Sequence, residues 1–311
     1  MIGKQPLNPN IRAFKELSPE IGARTIAHSQ NKKNKREQQE TSPFGELYTR
    51  SLGYYGKLPK HERSALEIAR RLTEMEEILD EEIEMMMRAK AESEHQLPTV
   101  ALDLGGMFGL TFAKLANRHQ SDIKEGKLAL VVTNMAFDVH QALEKYKLTN
   151  DAPYREKTEI ILTPAEITLI SSNEKLLHYL QCDVVELRSQ ILSLPNGVSL
   201  PLKGNINIVH EQSAFAWDPK IDVDLPLLGT MMSKEGIIFL GSEDDKLIPY
   251  PPQYEKTKNA GYCLDPYHQG LYNLKELGFN IQTTRFGGGN YKILSKPSAP
   301  VKESWLGENY L

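Results

Sequence analysis

A chain of 311 residues, 40% hydrophobic and 25% charged, has room for one large α/β domain with an appendage or for two ordinary domains. Its formal net charge of −4 disfavours nucleic acid as a partner, because phosphate binding needs concentrated Lys and Arg. No apolar run approaches the roughly 20 residues of a membrane-spanning helix, and the first residues carry no apolar signal-peptide core. Cys182 and Cys263 lie outside any metal-ligand spacing, so the expectation is a cytoplasmic, reducing setting with no membrane and no metal.

Residues 1–58 read as a polar, partly disordered leader, whose basic cluster Lys32, Lys33, Lys35 and Arg36 has no aromatic interleaving. Residues 59–97 read as a long amphipathic helix, an N-terminal extension. Leu72, Met75, Leu79, Ile83 and Met86 recur on one face, while Arg70, Arg71, Glu76, Glu77, Glu81 and Glu82 hold mostly the other positions. Two uses fit that pattern: a lid or dimerisation helix, which would give a homodimer, or a helix packed on the main domain.

After Pro98 an alternation of strands and helices begins, the signature of a parallel sheet covered by helices. "TVALDLGG" reads as a strand, "MFGLTFAKLANR" as a helix, "KLALVVTN" as a strand buried on both faces, and "AFDVHQALEKYKL" as a helix. Between residues 151 and 202 the pattern blurs. There "TEIILTPAEITLISSN" and "VVELRSQILSLP" could each supply a strand, and "NEKLLHYLQ" a helix. It then sharpens through the strand "NINIVHEQSAFAW", the short helix "DLPLLGTMM", the strand "KEGIIFLGS" and the helix "DPYHQGLYNLKELGF". Two strands joined by Gly287, Gly288 and Gly289 close the alternation.

The chemistry gathers at "DLGGMFG". Glycines at the end of a parallel strand let backbone approach a ligand, and the next helix start offers free N–H groups and partial positive charge. Such a turn suits a nucleotide-type ligand. It is not the dinucleotide fingerprint, because Leu104 occupies the first glycine position when Gly106 and Gly109 are taken as the later two. No Ser-His-Asp order, zinc spacing or Walker loop accompanies it.

"VALDLGGMFGL" resembles the first motif of the class I S-adenosylmethionine-dependent methyltransferases, an apolar strand ending in an acid followed by spaced glycines. Asp103, Gly105 and Gly109 fall on that pattern, and Met107 sits where many members have the middle glycine, so Gly105 and Gly106 would supply the close approach. The resemblance implies that Asp103 orients the amino-acid part of the cofactor. It also implies that Asn134, which ends the second strand where the family has an acid, faces the ribose. Downstream, "LPLLGTMMSKEGIIFLGS" is similar to the family's helix, K-x-G turn and fifth strand, and "LKELGFNIQTTRFGGGNYKILSK" to its closing G-F pair and antiparallel hairpin.

The resemblance spans residues 98–297, leaving 298–311 as a C-terminal tail. It implies a mostly parallel, doubly wound α/β sheet with a C-terminal antiparallel hairpin, behind a helical N-terminal extension. The implied activity is methyl transfer from S-adenosyl-L-methionine to an unidentified small-molecule or protein acceptor. His210 could serve as a base, and Glu211 as a second base or a holder of an amine, just beyond the fourth strand of the pattern. The N-P-P-Y or D-P-P-Y turn of members acting on planar amino groups is missing. Tyr250, Tyr254, Tyr262 and Tyr267, with neighbouring prolines, could line an acceptor pocket or pack on one another. Two rivals remain: a non-catalytic scaffold of the same fold and a nicotinamide-dependent oxidoreductase.

Overall fold

The computed structural model describes residues 65–92, 97–106, 108–133, 140, 164–211, 215, 221–242, 266–286 and 289–307. Helix α1 spans Ala65–Glu92, 28 residues without glycine or proline and rich in strong helix formers. Met75, Leu79, Ile83 and Met86 are buried along one stripe, which packs on helix α2 (Leu110–Arg118) and on strands β1 (Thr99–Leu104) and β6 (Ile206–Glu211). The stripe is thus consumed inside the chain.

Two residues expected on its charged face depart from that expectation. Glu76 is buried, where its carboxylate meets Lys114 at 2.9 Å and also Arg118. Glu82 is fully buried with no hydrogen-bond partner among the described residues. Each lies one turn from stripe residues, so the contact surface is wider than the apolar positions alone mark.

After α1 the chain enters a parallel sheet. Strand β1 pairs with β2 (Leu128–Thr133) and, on its other side, with β6. All six residues of each of these three strands are buried, as expected where helices cover both faces. Strand β3 (Leu177–Leu180) extends the sheet beyond β2, and β7 (Met232–Ser242) extends it beyond β6. The C-terminal hairpin of β8 (Asn280–Phe286) and β9 (Gly289–Ser295) then docks with β9 antiparallel to β7. The order is β3-β2-β1-β6-β7-β9-β8, the class I methyltransferase-like arrangement that the resemblance implied.

Two apolar layers sandwich this sheet. Ala101, Leu130, Ile208 and Phe239 face one layer with α1, α2 and helix α4 (Pro164–Asn173). Leu102, Val131, Val209 and Leu240 face the other, with helices α6 (Ile221–Met231) and α7 (Pro266–Glu276). Residues 298–307 close over the first layer. There Trp305 is buried edge-on against Phe239, and Lys302 reaches Glu81 of α1 at 2.7 Å.

A short helix α3 (Gln120–Lys124) lies between α2 and β2. Between residues 151 and 202 two of the sequence expectations are reversed in the described part, and the third holds over its second half. Pro164–Asn173, within a candidate strand, is helix α4; Pro164 occupies its first position, where no N–H is needed. "NEKLLHYLQ", expected as a helix, gives a 3₁₀ turn at Glu174–Leu176 and then β3. Four residues are too few to show a period, and pairing from Leu130↔Leu177 to Thr133↔Leu180 decides the state. "VVELRSQILSLP" splits into helix α5 (Val184–Leu187), closed by a reciprocal Asp183–Glu186 capping box, and β4 (Ile191–Ser193), which pairs with β5 (Ser199–Pro201).

At the amino ends of the strands a polar knot ties α1 to the sheet. Lys90 Nζ donates to the Pro98 carbonyl at 2.6 Å and to Asn207 Oδ1 at 2.9 Å. The same oxygen accepts Val100 N–H at 2.9 Å, while Asn207 Nδ2 donates to Ser233 Oγ at 2.9 Å. Burial lowers the Lys90 pKa to about 8 against the opposing pull of Glu235. Among the described residues no helix is long and apolar enough to cross a membrane.

Candidate functional site

The chain builds β1, β2 and β3 outward in one direction, then returns to lay β6 and β7 on the other side of β1. Strand order reverses between β1 and β6. In open α/β sheets the crevice at the carboxyl ends of such a pair is where ligands bind. Asp103 and His210 stand across it from one another, paired in register near the ends of β1 and β6.

Alternation along a strand puts Asp103 on the side of Ala101 and His210 on the side of Ile208, so both lie under the α1/α2/α4 layer. Their side chains are 7% and 4% exposed, and His210 Nδ1 lies 2.9 Å from Asp103 Oδ1. An ionised carboxylate can only accept, so Nδ1–H is the donor in this contact. The other ring nitrogen, Nε2, is buried and has no hydrogen-bond partner among the described residues.

Each glycine of the turn has a definite task. Gly105 adopts φ 72° and donates its N–H to Thr133 Oγ1 at 3.1 Å, joining the ends of β1 and β2. A Cβ on Gly106 would stand 2.1 Å from Asp103 Oδ2, so this glycine makes room for the carboxylate. Gly109, at φ 67°, begins α2; a Cβ there would meet Val132 Cγ2 at 2.7 Å. Its N–H closes the turn on the Gly106 carbonyl at 2.7 Å. Helix α2 has no side-chain cap and no acid in its first turn, which leaves its positive end unneutralised from within.

Glu211 does not share the crevice face with His210. The next residue along β6 projects to the opposite layer, and its buried carboxylate accepts the Phe215 N–H at 2.9 Å, fixing the chain just after the strand. Asn134 and Met107 lie outside the described residues, as do Tyr250, Tyr254, Tyr262, Cys263 and the helix expected from "AFDVHQALEKYKL" except for His140. Tyr267 is buried on α7, its ring beneath the Lys292 ammonium, 4.7 Å from the centroid. Cys182 is a buried thiol in the second layer.

Two residues at the site carried no sequence signal beyond ending a strand. Thr133 is the latch for Gly105. Tyr179, next to last in β3, donates its hydroxyl to the Phe108 carbonyl at 3.0 Å and so braces the loop before α2. Burial, with the charges of Glu174 and Asp103, pushes its phenol well above the ordinary value, so it remains a donor at any working pH.

No protein-family model and no curated protein matches the chain. Solved structures similar to it include an S-adenosylmethionine-dependent methyltransferase from Aquifex aeolicus, 13% identical over 67% of this chain and 87% of that one, with TM-score 0.34. A second is the CurJ carbon methyltransferase, 13% identical over 94% of this chain and 72% of that one, at 0.44. A third is Haemonchus contortus phosphoethanolamine N-methyltransferase 2 in complex with S-adenosylhomocysteine, 12% identical over 60% of this chain, at 0.32. The chain spans only 35% of the Haemonchus protein's length. At these identities and scores no statement about function passes from them to this chain.

Proposed function

We propose that the chain is an S-adenosyl-L-methionine-dependent methyltransferase whose cofactor binds at the carboxyl ends of β1, β2 and β6. The single observation that carries this reading is the glycine turn from Gly105 to Gly109. It stands where strand order reverses, in a sheet closed by an antiparallel β9. A dehydrogenase-type half-domain would continue with parallel strands there.

The residues present fit the group. The N-terminus of α2, uncapped and without acids, suits a carboxylate, and the buried Asp103–His210 pair supplies polar groups at the ends of β1 and β6. The cofactor supplies an activated methyl on a sulfonium. The chain's own task is to align an acceptor with it in line and to keep water out. His210 is the residue placed to exchange a proton or a hydrogen bond within the crevice, while Glu211 holds the segment that follows β6. The acceptor is the part of this reading that the crevice leaves to experiment.

Calorimetric titration with S-adenosylmethionine and S-adenosylhomocysteine tests the reading, with NAD and NADP as controls. Micromolar binding of the first two, lost in Asp103→Ala, is the expected outcome. Binding of NAD instead would make the chain an oxidoreductase, and binding of none by the folded protein would make it a scaffold.

A further inference from the structure

Position 82 is a place where the stripe of α1 requires an apolar side chain. It lies seven residues from Met75, four from Ile78 and Met86 and three from Leu79, all of them buried. The chain puts a carboxyl there instead. Glu82 is fully buried, and neither of its oxygens has a hydrogen-bond partner among the described residues. Its neighbours one turn away on the helix, Ile78, Leu79, Met85 and Met86, carry no charge and no donor. A buried polar group left in this state requires an explanation.

The cations around it are committed to other acids. From α2, Lys114 and Arg118 meet Glu76, and Arg118 also meets Asp80. His119, just beyond α2, lies between Asp80 and Asp122. Lys302 of the C-terminal segment reaches Glu81, with Glu303 next to it in sequence. Strands β1 and β6 bring Asp103 and His210, bonded to one another; β7 brings Glu235, which acts on Lys90, and β9 the phenol of Tyr291. Among its described side chains β8 brings no titratable group. Burial without a compensating charge raises the Glu82 pKa from 4.5 to about 8. The helix is thus held along its flanks and at its Lys90 end, while its middle docks only with a proton.

We propose that α1 is a proton-released cover: protonated Glu82 lets the helix lie on the sheet face that bears Asp103 and His210, and loss of that proton lifts the helix while β1, β2 and β6 stay paired. The device belongs to the chain's own packing and holds whichever ligand the crevice takes. In the lifted helix the carboxyl has its ordinary value, so between about 4.5 and 8 lifting releases one proton. Each pH unit across that window raises the lifted-to-docked ratio about tenfold, and the ratio levels off above it.

Native-state hydrogen exchange of the full chain in low urea tests this, with rates corrected for the intrinsic effect of pH. Amides from Leu79 to Met86 should open together, at lower free energy and with a smaller urea dependence than those of β1 and β2, because lifting one helix exposes less surface than unfolding the sheet. Between about pH 5.5 and 7.5, below the range in which Lys90 titrates, their opening constant should rise roughly 100-fold in wild type. It should stay within about twofold in Glu82→Gln, which keeps the shape and cannot ionise. Opening of α1 only together with β1, at the same urea dependence, would overturn the proposal, as would a wild-type opening constant that ignores pH. A pH response that survives in Glu82→Gln would assign the proton to another group and overturn it equally. If Glu82→Gln does not fold, Glu82→Leu, which restores the apolar stripe, takes its place under the same expectation.

Discussion

At the scale of single residues, the crevice depends on what is missing from Gly106. Adding one methyl there places carbon against the Asp103 carboxylate, which must turn away and release His210. Gly106→Ala should therefore lower stability by roughly 1–3 kcal/mol, an overpacking cost, and shift the His210 Nδ1 resonance. A stability loss with that resonance unmoved would show that the turn yields elsewhere. Tyr179→Phe keeps the ring and removes one hydrogen bond to the Phe108 carbonyl. It should cost about 0.5–1.5 kcal/mol in urea unfolding and raise hydrogen exchange around the Gly105–Gly109 turn; unchanged exchange there would remove the bracing role. Asp103 and the glycines were legible in sequence because an acid and flexible residues at a strand end form a local pattern. The contact between Asp103 and His210 was not, because it bridges 107 positions and exists only through the register of β1 on β6.

At the scale of elements, α1 is the helix whose docking responds to pH. Burial raises the Glu82 carboxyl from its ordinary 4.5 to about 8. The folded state thus keeps a proton that the unfolded chain gives up above about 4.5. The associated stability is fully present below that value and is lost as pH rises through about 8. Lys90 has the opposite sign in a separate window: its folded value of about 8 lies below the ordinary 10.5, so its burial penalty is relieved between the two. Glu82→Gln should consequently be more stable relative to wild type at pH 8 than at pH 5, by on the order of 2–5 kcal/mol. A difference independent of pH would mean that Glu82 is ionised in the folded state. The helical period of α1 was plain in the sequence, whereas burial of Glu76 and Glu82 was not, since it follows from how closely α2 and the sheet approach. The same limit governs α4 and β3: a proline-led helix and a four-residue strand take their states from position and partner rather than from period.

For the whole molecule, two ends of one sheet perform two tasks. The amino ends are knotted by Lys90, Asn207 and Ser233, which tie α1, β1, β6 and β7 together. The carboxyl ends hold the glycine turn and the Asp103–His210 pair where strand order reverses. The alternation of strands and helices after Pro98 made β1, β2, β6, β7 and the closing hairpin legible, because continuous apolar runs mark strands buried on both faces. The place of the crevice followed from it, while the members supplied by β2 and β3, Thr133 and Tyr179, emerged only from assembly. The most direct test of the account is a crystal structure of the protein with S-adenosylhomocysteine. The account predicts the nucleoside across the carboxyl ends of β1 and β6, against the Gly105–Gly109 turn. A nucleoside bound elsewhere on the chain, with the Gly105–Gly109 turn untouched, would contradict it.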